Sequence, residues 1–157
     1  MVIGNLDGSI ILIKICFICH GNICRSPMAE YLLKYKVEEL GIKDKFLIVS
    51  RATSYEEIGN DMHYGTKDIL IKNNIPFTKH RATRLDSSEY MKYDYFICMD
   101  DNNIRNTLRI FGNDKENKII KLNEVDVLDP WYTGNFIETY NDINNGLDNL
   151  LKKYFLL

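Results

Sequence analysis

The segment of this chain best equipped for chemistry is Cys19-His20-Gly21-Asn22-Ile23-Cys24-Arg25, in which a cysteine is followed six residues later by an arginine. A thiolate is a strong nucleophile, and a guanidinium is a planar fork that holds two oxygens of a phosphate at once. Nucleophile and clamp therefore share one anion. Gly21 allows a tight turn, and Asn22 adopts a left-handed conformation or ties the loop by side-chain bonds. The hydroxyl of Ser26 can donate to the Cys19 sulfur. A second constellation, Asp129-Pro130-Trp131-Tyr132, lies far away in sequence. Transfer of a phosphoryl group from an ester to sulfur needs a proton for the departing oxygen, which the Asp129 carboxylic acid can supply. Pro130 stiffens the backbone there, while Trp131 and Tyr132 offer an aromatic wall for a flat substrate ring. Together the two segments point to covalent phosphoryl transfer through Cys19.

These residues need particular elements to position them. The β-branched run Ile10 to Ile18, broken only by Lys14, reads as a buried parallel strand. After the turn, Ser26 as N-cap, Pro27 at the first helical position and Glu30 near the first turn predict a helix to about Leu40. A strand and glycine turn feeding a helix N-terminus point backbone N–H groups at one spot, where the helix dipole adds positive potential. The same field favours thiolate over thiol at Cys19. Downstream, the pattern predicts a strand over Phe46 to Val49, a helix over Asp61 to Asn73 and a short helix over Ser87 to Lys92. A strand over Tyr95 to Met99, a helix over Asn103 to Phe111, a strand over Lys118 to Leu122 and a closing helix over Phe136 to Phe155 follow. Alternation of this kind predicts an α/β fold, a three-layer sandwich with a parallel sheet covered by helices on both faces.

Composition sets the outer limits. The chain of 157 residues is 45% hydrophobic, 27% charged and 11% aromatic, enough for a single domain over 1–157 with a packed core, residues 1–9 being read as an N-terminal extension. A formal net charge of -2 gives no ground for nucleic-acid or membrane partners, which call for a basic excess. The Ile10 to Ile18 run is too short to span a bilayer and has no cationic segment before it, so a cytoplasmic location is expected. Four cysteines in a chain of this length fit a reducing compartment rather than a disulfide scaffold.

Plainer roles compete for each residue. Cys24 fits either buried packing or a redox pair with Cys19. Cys16-x-x-Cys19, with Cys24 and His20, has the look of a zinc or thioredoxin-like set, but Cys16 lies inside the apolar strand and no second ligand pair exists, so no metal or cofactor is expected. Asp-Pro commonly opens a turn, and Asp126 or Asp100 are alternative acids. His80 is assigned a supporting role and Cys98 a place in the core.

The chain resembles the low-molecular-weight protein tyrosine phosphatases. The likeness rests on Cys19-His20-Gly21-Asn22-Ile23-Cys24-Arg25-Ser26-Pro27 and Asp129-Pro130-Trp131-Tyr132, in the family's order and separation. Weaker matches are Ser50-Arg51-Ala52-Thr53-Ser54, His80-Arg81-Ala82-Thr83-Arg84-Leu85 and the stretch Asp94 to Asn103, so it covers almost the whole chain after Ser9. The resemblance implies a sheet of strand order 2-1-3-4, no cofactor or metal, phosphotyrosine proteins or peptides as substrates and inorganic phosphate as product. It implies Cys19 as nucleophile, Arg25 as phosphate clamp, Asp129 as general acid, Ser26 as thiolate stabiliser, and Asn22, Ser50 and His80 as a network holding the loop. His20, Gly21, Asn22, Ile23, Cys24, Ser26, Trp131 and Tyr132 would then contact substrate.

The chain also departs from that pattern. His20 replaces a small or aliphatic residue and adds a titratable group. Arg51 replaces a small residue and is expected to bring positive charge near the entrance. Glu56, with Tyr55 beside it, falls where an aromatic residue often lines the pocket, and Ile23 favours phosphotyrosine over phosphoarginine. An arsenate reductase on the same fold would need a further cysteine pair on a mobile loop, and a bare phosphate-binding module would need neither Cys19 nor Asp129.

Overall fold

Four strands lie parallel in the order β2-β1-β3-β4 in the computed structural model, which describes residues 12–155. The strands are β1 (Ile13–Cys19), β2 (Phe46–Ala52), β3 (Tyr95–Cys98) and β4 (Ile119–Lys121). Between and after them come α1 (Arg25–Glu39), α2 (Tyr64–Lys72), α3 (Asp101–Phe111), α4 (Pro130–Thr133) and α5 (Phe136–Leu150). Ile10 and Ile11, expected in the first strand, and the proposed extension over 1–9 lie outside the described residues.

Strand β1 is the hinge of the sheet because its side chains serve two cores. Ile13, Ile15, Phe17 and Cys19 face the cluster built from α1, α2 and α5, including Met28, Leu32, Leu70 and Ile143. Cys16 and Ile18 face the other layer, with Leu85, Tyr93, Phe96 and Cys98. The period of two in a fully buried strand explains both the unbroken apolar run and this division of labour. Burial of a side chain such as Phe17, with no exposed surface, is worth about 3–5 kcal/mol against alanine.

The chain runs from β1 outward to β2, then crosses back to β3 on the other side of β1. The strand order reverses there, and ligand sites of open α/β sheets form in the crevice beyond the strand ends at such a reversal. Cys19 ends β1, the segment 53–57 follows β2, Asp100 follows β3, and Asp129 lies beyond β4. All four converge on the same edge.

Most predicted elements form with shifted ends, and the shifts have causes. Strand β2 runs to Ala52, because β1 continues beside it through Cys19 and the pairing extends to Cys19 O from Thr53 N at 3.0 Å. Helix α2 begins only at Tyr64, where the His63 ring accepts the N–H of Gly65. Helix α3 begins at Asp101, with Asp100 and Asn103 forming a reciprocal capping box. The Ser87–Lys92 segment is a 3-10 helix, and the last helix ends at Leu150, passing into a π-helical turn over Leu151–Phe155. A 3-10 turn over Lys43–Lys45 and the one-turn α4 are too short for periodicity to reveal.

Ser26 corrects the sequence reading. It is the second residue of α1, not its cap: the cap position belongs to Cys24, which makes no capping bond, and Pro27 is the third helical residue. The hydroxyl is drawn instead toward Cys19. The first turn also lacks an acid: Glu30 falls in the second turn of α1, and it is buried. Leaving the helix N-terminus without a carboxylate keeps its amides free for an anion.

Candidate active site

The left-handed turn that shapes the loop after β1 is made by Asn22, at φ 59°; Gly21 does not use its freedom for positive φ. In this conformation Asn22 reaches in five directions. Its N–H points at Cys19 Sγ at 3.3 Å. Its side-chain amide donates to Ser26 Oγ at 2.7 Å and Ser50 Oγ at 2.9 Å, its Oδ1 accepts from Thr83 N at 3.0 Å, and its carbonyl accepts from His80 Nε2 at 2.7 Å. A carbonyl only accepts, so His80 carries its proton on Nε2.

The Ser26 hydroxyl, already accepting from Asn22, keeps its own proton for Cys19 Sγ, 3.0 Å away. Ser26 N approaches the same sulfur at 3.4 Å. Cys19 thus ends its strand facing three donors, an arrangement suited to negative charge on sulfur. The Ser50 hydroxyl donates to Glu30 Oε1 at 2.6 Å, so a buried acid anchors the far end of the network. In the sequence Glu30 looks like an acid near the first turn, and only its place on the buried face of α1 could have marked it out.

Arg25 is buried and its guanidinium is enclosed by acceptors. Nη1 donates to Asp100 Oδ2 at 2.6 Å and to Val127 O at 2.9 Å, and Nη2 lies 3.4 Å from Asp129 Oδ2. Burial pulls its pKa down, but Cys19, the Asp100 hydrogen bond and Asp129 more than compensate, and the net direction is upward. A permanent cation results. Asp100, an alternative acid in the sequence, is here an orienting partner for Arg25, and Asp126 is tied to Lys121 at 2.8 Å. Asp129 plays two parts with two oxygens. Oδ1 caps α4 by accepting from Trp131 N at 3.0 Å, while Oδ2 faces Arg25. One residue thus both opens the Asp-Pro turn and turns a carboxylate oxygen toward Arg25.

Cys19, His20, Gly21, Ile23, Cys24, Arg25, Asp129, Trp131 and Tyr132 line one cavity of about 90 Å³, joined by Glu56 and Glu57. Asn22 and Ser26 stand behind the wall with Ser50 and His80, fully or nearly fully buried. Thr66, which donates to Cys24 O at 3.1 Å, and Asp61, which accepts from His80 N at 2.9 Å, also hold this shell and carry no sequence signal.

One departure resolves differently from expectation, and a second, Glu56, lines the cavity where the resemblance places it. Arg51 does not charge the entrance: it turns to the other face of the sheet, against Glu89 at 3.3 Å and the Tyr93 hydroxyl at 3.2 Å, which partner this half-buried cation. Tyr55 is exposed and stacks beneath Arg84 at 4.4 Å, outside the cavity. All four cysteines are free thiols, and burial, then the charge of Cys19, pushes the Cys24 thiol well up. Cys98 is core, its thiol pushed up to about 12 by burial. No helix among the described residues is long and apolar enough to cross a membrane.

The family model for low molecular weight phosphotyrosine protein phosphatase matches residues 14–154. The chain belongs to this family. Among its relatives is a low molecular weight protein-tyrosine-phosphatase PtpA of Staphylococcus saprophyticus, 37% identical over 146 residues that cover 89% of this chain and 92% of the relative. The phosphatase also superposes on the crystal structure of SP-PTP, a low molecular weight protein tyrosine phosphatase from Streptococcus pyogenes, with a TM-score of 0.86 and 37% identity, over 92% of this chain and 94% of that one. YfkJ from Bacillus subtilis gives a TM-score of 0.87 at 34% identity, over 90% and 94% of the two chains. The sheet order 2-1-3-4 implied by the resemblance is the one observed.

Proposed function

We propose that this phosphatase hydrolyses phosphotyrosine in proteins or peptides through a cysteinyl-phosphate intermediate. The observation that carries the reading is that Cys19, Arg25 and Asp129, drawn from opposite ends of the chain, line a single cavity with Trp131 and Tyr132. The substrate phosphate enters the loop of residues 19–25, where Arg25 and the backbone amides receive its oxygens. It competes with Asp129 for Nη2, and the 3.4 Å contact between them is loose enough to give way.

Cys19 Sγ then attacks phosphorus. An S–P bond forms as the ester P–O bond breaks, and protonated Asp129 gives its proton to the departing phenolic oxygen. In the second step Asp129, now a carboxylate, takes a proton from a water that attacks phosphorus. The S–P bond breaks, leaving the Cys19 thiolate and inorganic phosphate. Ser26 and the amides of Asn22 and Ser26 hold charge on sulfur whenever it is the nucleophile or the leaving group. Asn22, Ser50 and His80 keep those donors in place.

Trp131 and Tyr132 extend from the cavity and supply apolar surface for an aryl ring, which supports phosphotyrosine over phosphoserine or phosphoarginine. The decisive measurement is turnover of peptides carrying each of the three, with arsenate reduction alongside. Preferential release of phosphate from phosphotyrosine is expected. Equal or better turnover of phosphoarginine would overturn the substrate assignment.

A further inference from the structure

His20 and Glu56 are the two departures from the family pattern nearest the reaction, and they touch. The imidazole Nε2 lies 3.1 Å from Glu56 Oε2, across 36 residues of sequence. A carboxylate only accepts, so Nε2–H donates, and the pair joins the nucleophile loop to the segment after β2. Both side chains line the cavity with Glu57. Glu57 is fixed by Asn60 Nδ2 at 2.6 Å, and its side chain packs over Gly21.

We propose that Glu56, anchored by His20, determines flank specificity in this phosphatase, selecting phosphotyrosyl substrates with a basic rather than an acidic residue beside the phosphotyrosine. The proposal rests on the chemistry assigned to Cys19 above and deepens it. Two kinds of charge line the cavity, and they lie at different depths. The Arg25 side chain is 3% exposed and shared among Asp100, Asp129 and the Val127 carbonyl, so it acts on the phosphate and not on the surroundings. The Glu56 side chain is 68% exposed and that of His20 43%, so they meet whatever the peptide carries next to its phosphorylated ring. Among the cavity's lining residues the remaining carboxylates are Glu57 and Asp129. Arg84 is turned onto the Tyr55 ring and donates to Leu85 O, and Arg51 is engaged on the far side of the sheet. The rim is therefore carboxylate-rich above a cationic floor, and like charges facing one another disfavour an acidic flank.

His20 matters because an isolated exposed glutamate samples many rotamers and acts weakly on a passing charge. A hydrogen bond to the imidazole holds the carboxylate at the mouth. Glu56 acts on the flank by field and contact; His20 positions it.

The test compares kcat/KM for phosphotyrosyl peptides identical except for Lys or Asp beside the phosphotyrosine, with p-nitrophenyl phosphate as a flankless reference. The wild-type enzyme is expected to favour the Lys peptide about three- to ten-fold, with the difference in KM rather than kcat, and to lose that preference as ionic strength rises. Glu56→Gln should cut the Lys-to-Asp ratio at least by about half. His20→Leu should lower it in the same direction, and the double variant should fall no further than Glu56→Gln alone. Equal use of the two peptides by the wild type, or an unchanged ratio in Glu56→Gln, overturns the proposal. Effects of the two substitutions that simply multiply overturn the pairing. Failure of the wild type to turn over p-nitrophenyl phosphate counts against the Cys19 chemistry instead, so the two readings fail separately.

Discussion

The loop from Cys19 to Ser26 and the segment from Asp129 to Tyr132 face the same cavity but are held in different ways. The first is pinned from within: Asn22, Ser26, Ser50, Glu30 and His80 are all buried and joined by hydrogen bonds reaching into β2, α1 and the segment after α2. The second is held by a short capped turn, the Asp129–Arg25 contact and the edge of the His63 ring against Trp131, and its aromatic residues are largely exposed, Trp131 55% and Tyr132 81%. The nucleophile and anion cradle proposed for this loop would tolerate displacements of only fractions of an ångström, which fits their support by the buried network. A surface that meets substrates of different shape gains from exposure, and needs only the position of Asp129 to be fixed.

Breaking the pinned side at its centre should have the largest effect. Cys19→Ser is expected to abolish turnover of p-nitrophenyl phosphate and still bind phosphate; turnover above background in that variant would remove Cys19 as nucleophile. Next comes the capped turn of the open side. Asp129→Asn should slow phosphoryl transfer by about two to four decades with a poor leaving group and by less with a good one. An equal loss for both would assign Asp129 a structural part only.

Asn22→Ala sharpens the comparison, because it removes no reacting group. Its side-chain bonds and the left-handed backbone are lost together, which should lower kcat about ten- to hundred-fold and stability by about 1–3 kcal/mol, read by urea unfolding. Trp131→Ala, on the open side, should raise KM for aryl phosphates about two- to ten-fold with kcat and stability little changed. A fall in stability like that of Asn22→Ala would mean that the two sides are held alike.

The smallest effect is a pH dependence at the edge of the pinned network. The Lys67 ammonium, then the amides of His80 and Met62, bring the Asp61 carboxyl down to about 2, below its unfolded value near 3.9. A depressed carboxyl stabilises the fold above its unfolded pKa and loses that contribution as pH falls from about 4 through 2. Asp61→Asn should flatten the stability profile over that interval and leave it unaltered at neutral pH in slope. An unchanged profile would show that the ion pair does not couple to folding.

Much of this molecule was legible one segment at a time. The apolar run before Cys19, the turn residues and the amphipathic helix after them are local signals, and they predicted β1, the loop and α1 in place. Element ends were less legible: Ser26 has the chemistry of an N-cap, but the sulfur three ångströms away competes for its hydroxyl and wins. Arg51 shows the same limit, since nothing near it in sequence announces Glu89 and Tyr93 as its partners.

By itself the sequence determined the alternation of strands and helices, the family, and the set of residues to which we assign phosphoryl transfer. Tertiary structure alone decided which of Asp100, Asp126 and Asp129 shares a cavity with Cys19, that Glu30 and Asn22 complete one network, and that Glu56 meets His20. Periodicity and turn chemistry act over a few residues, whereas these contacts depend on how the crossover from β1 through β2 to β3 brings strand ends together. The packing of α1, α2 and α5 on the sheet sets that geometry.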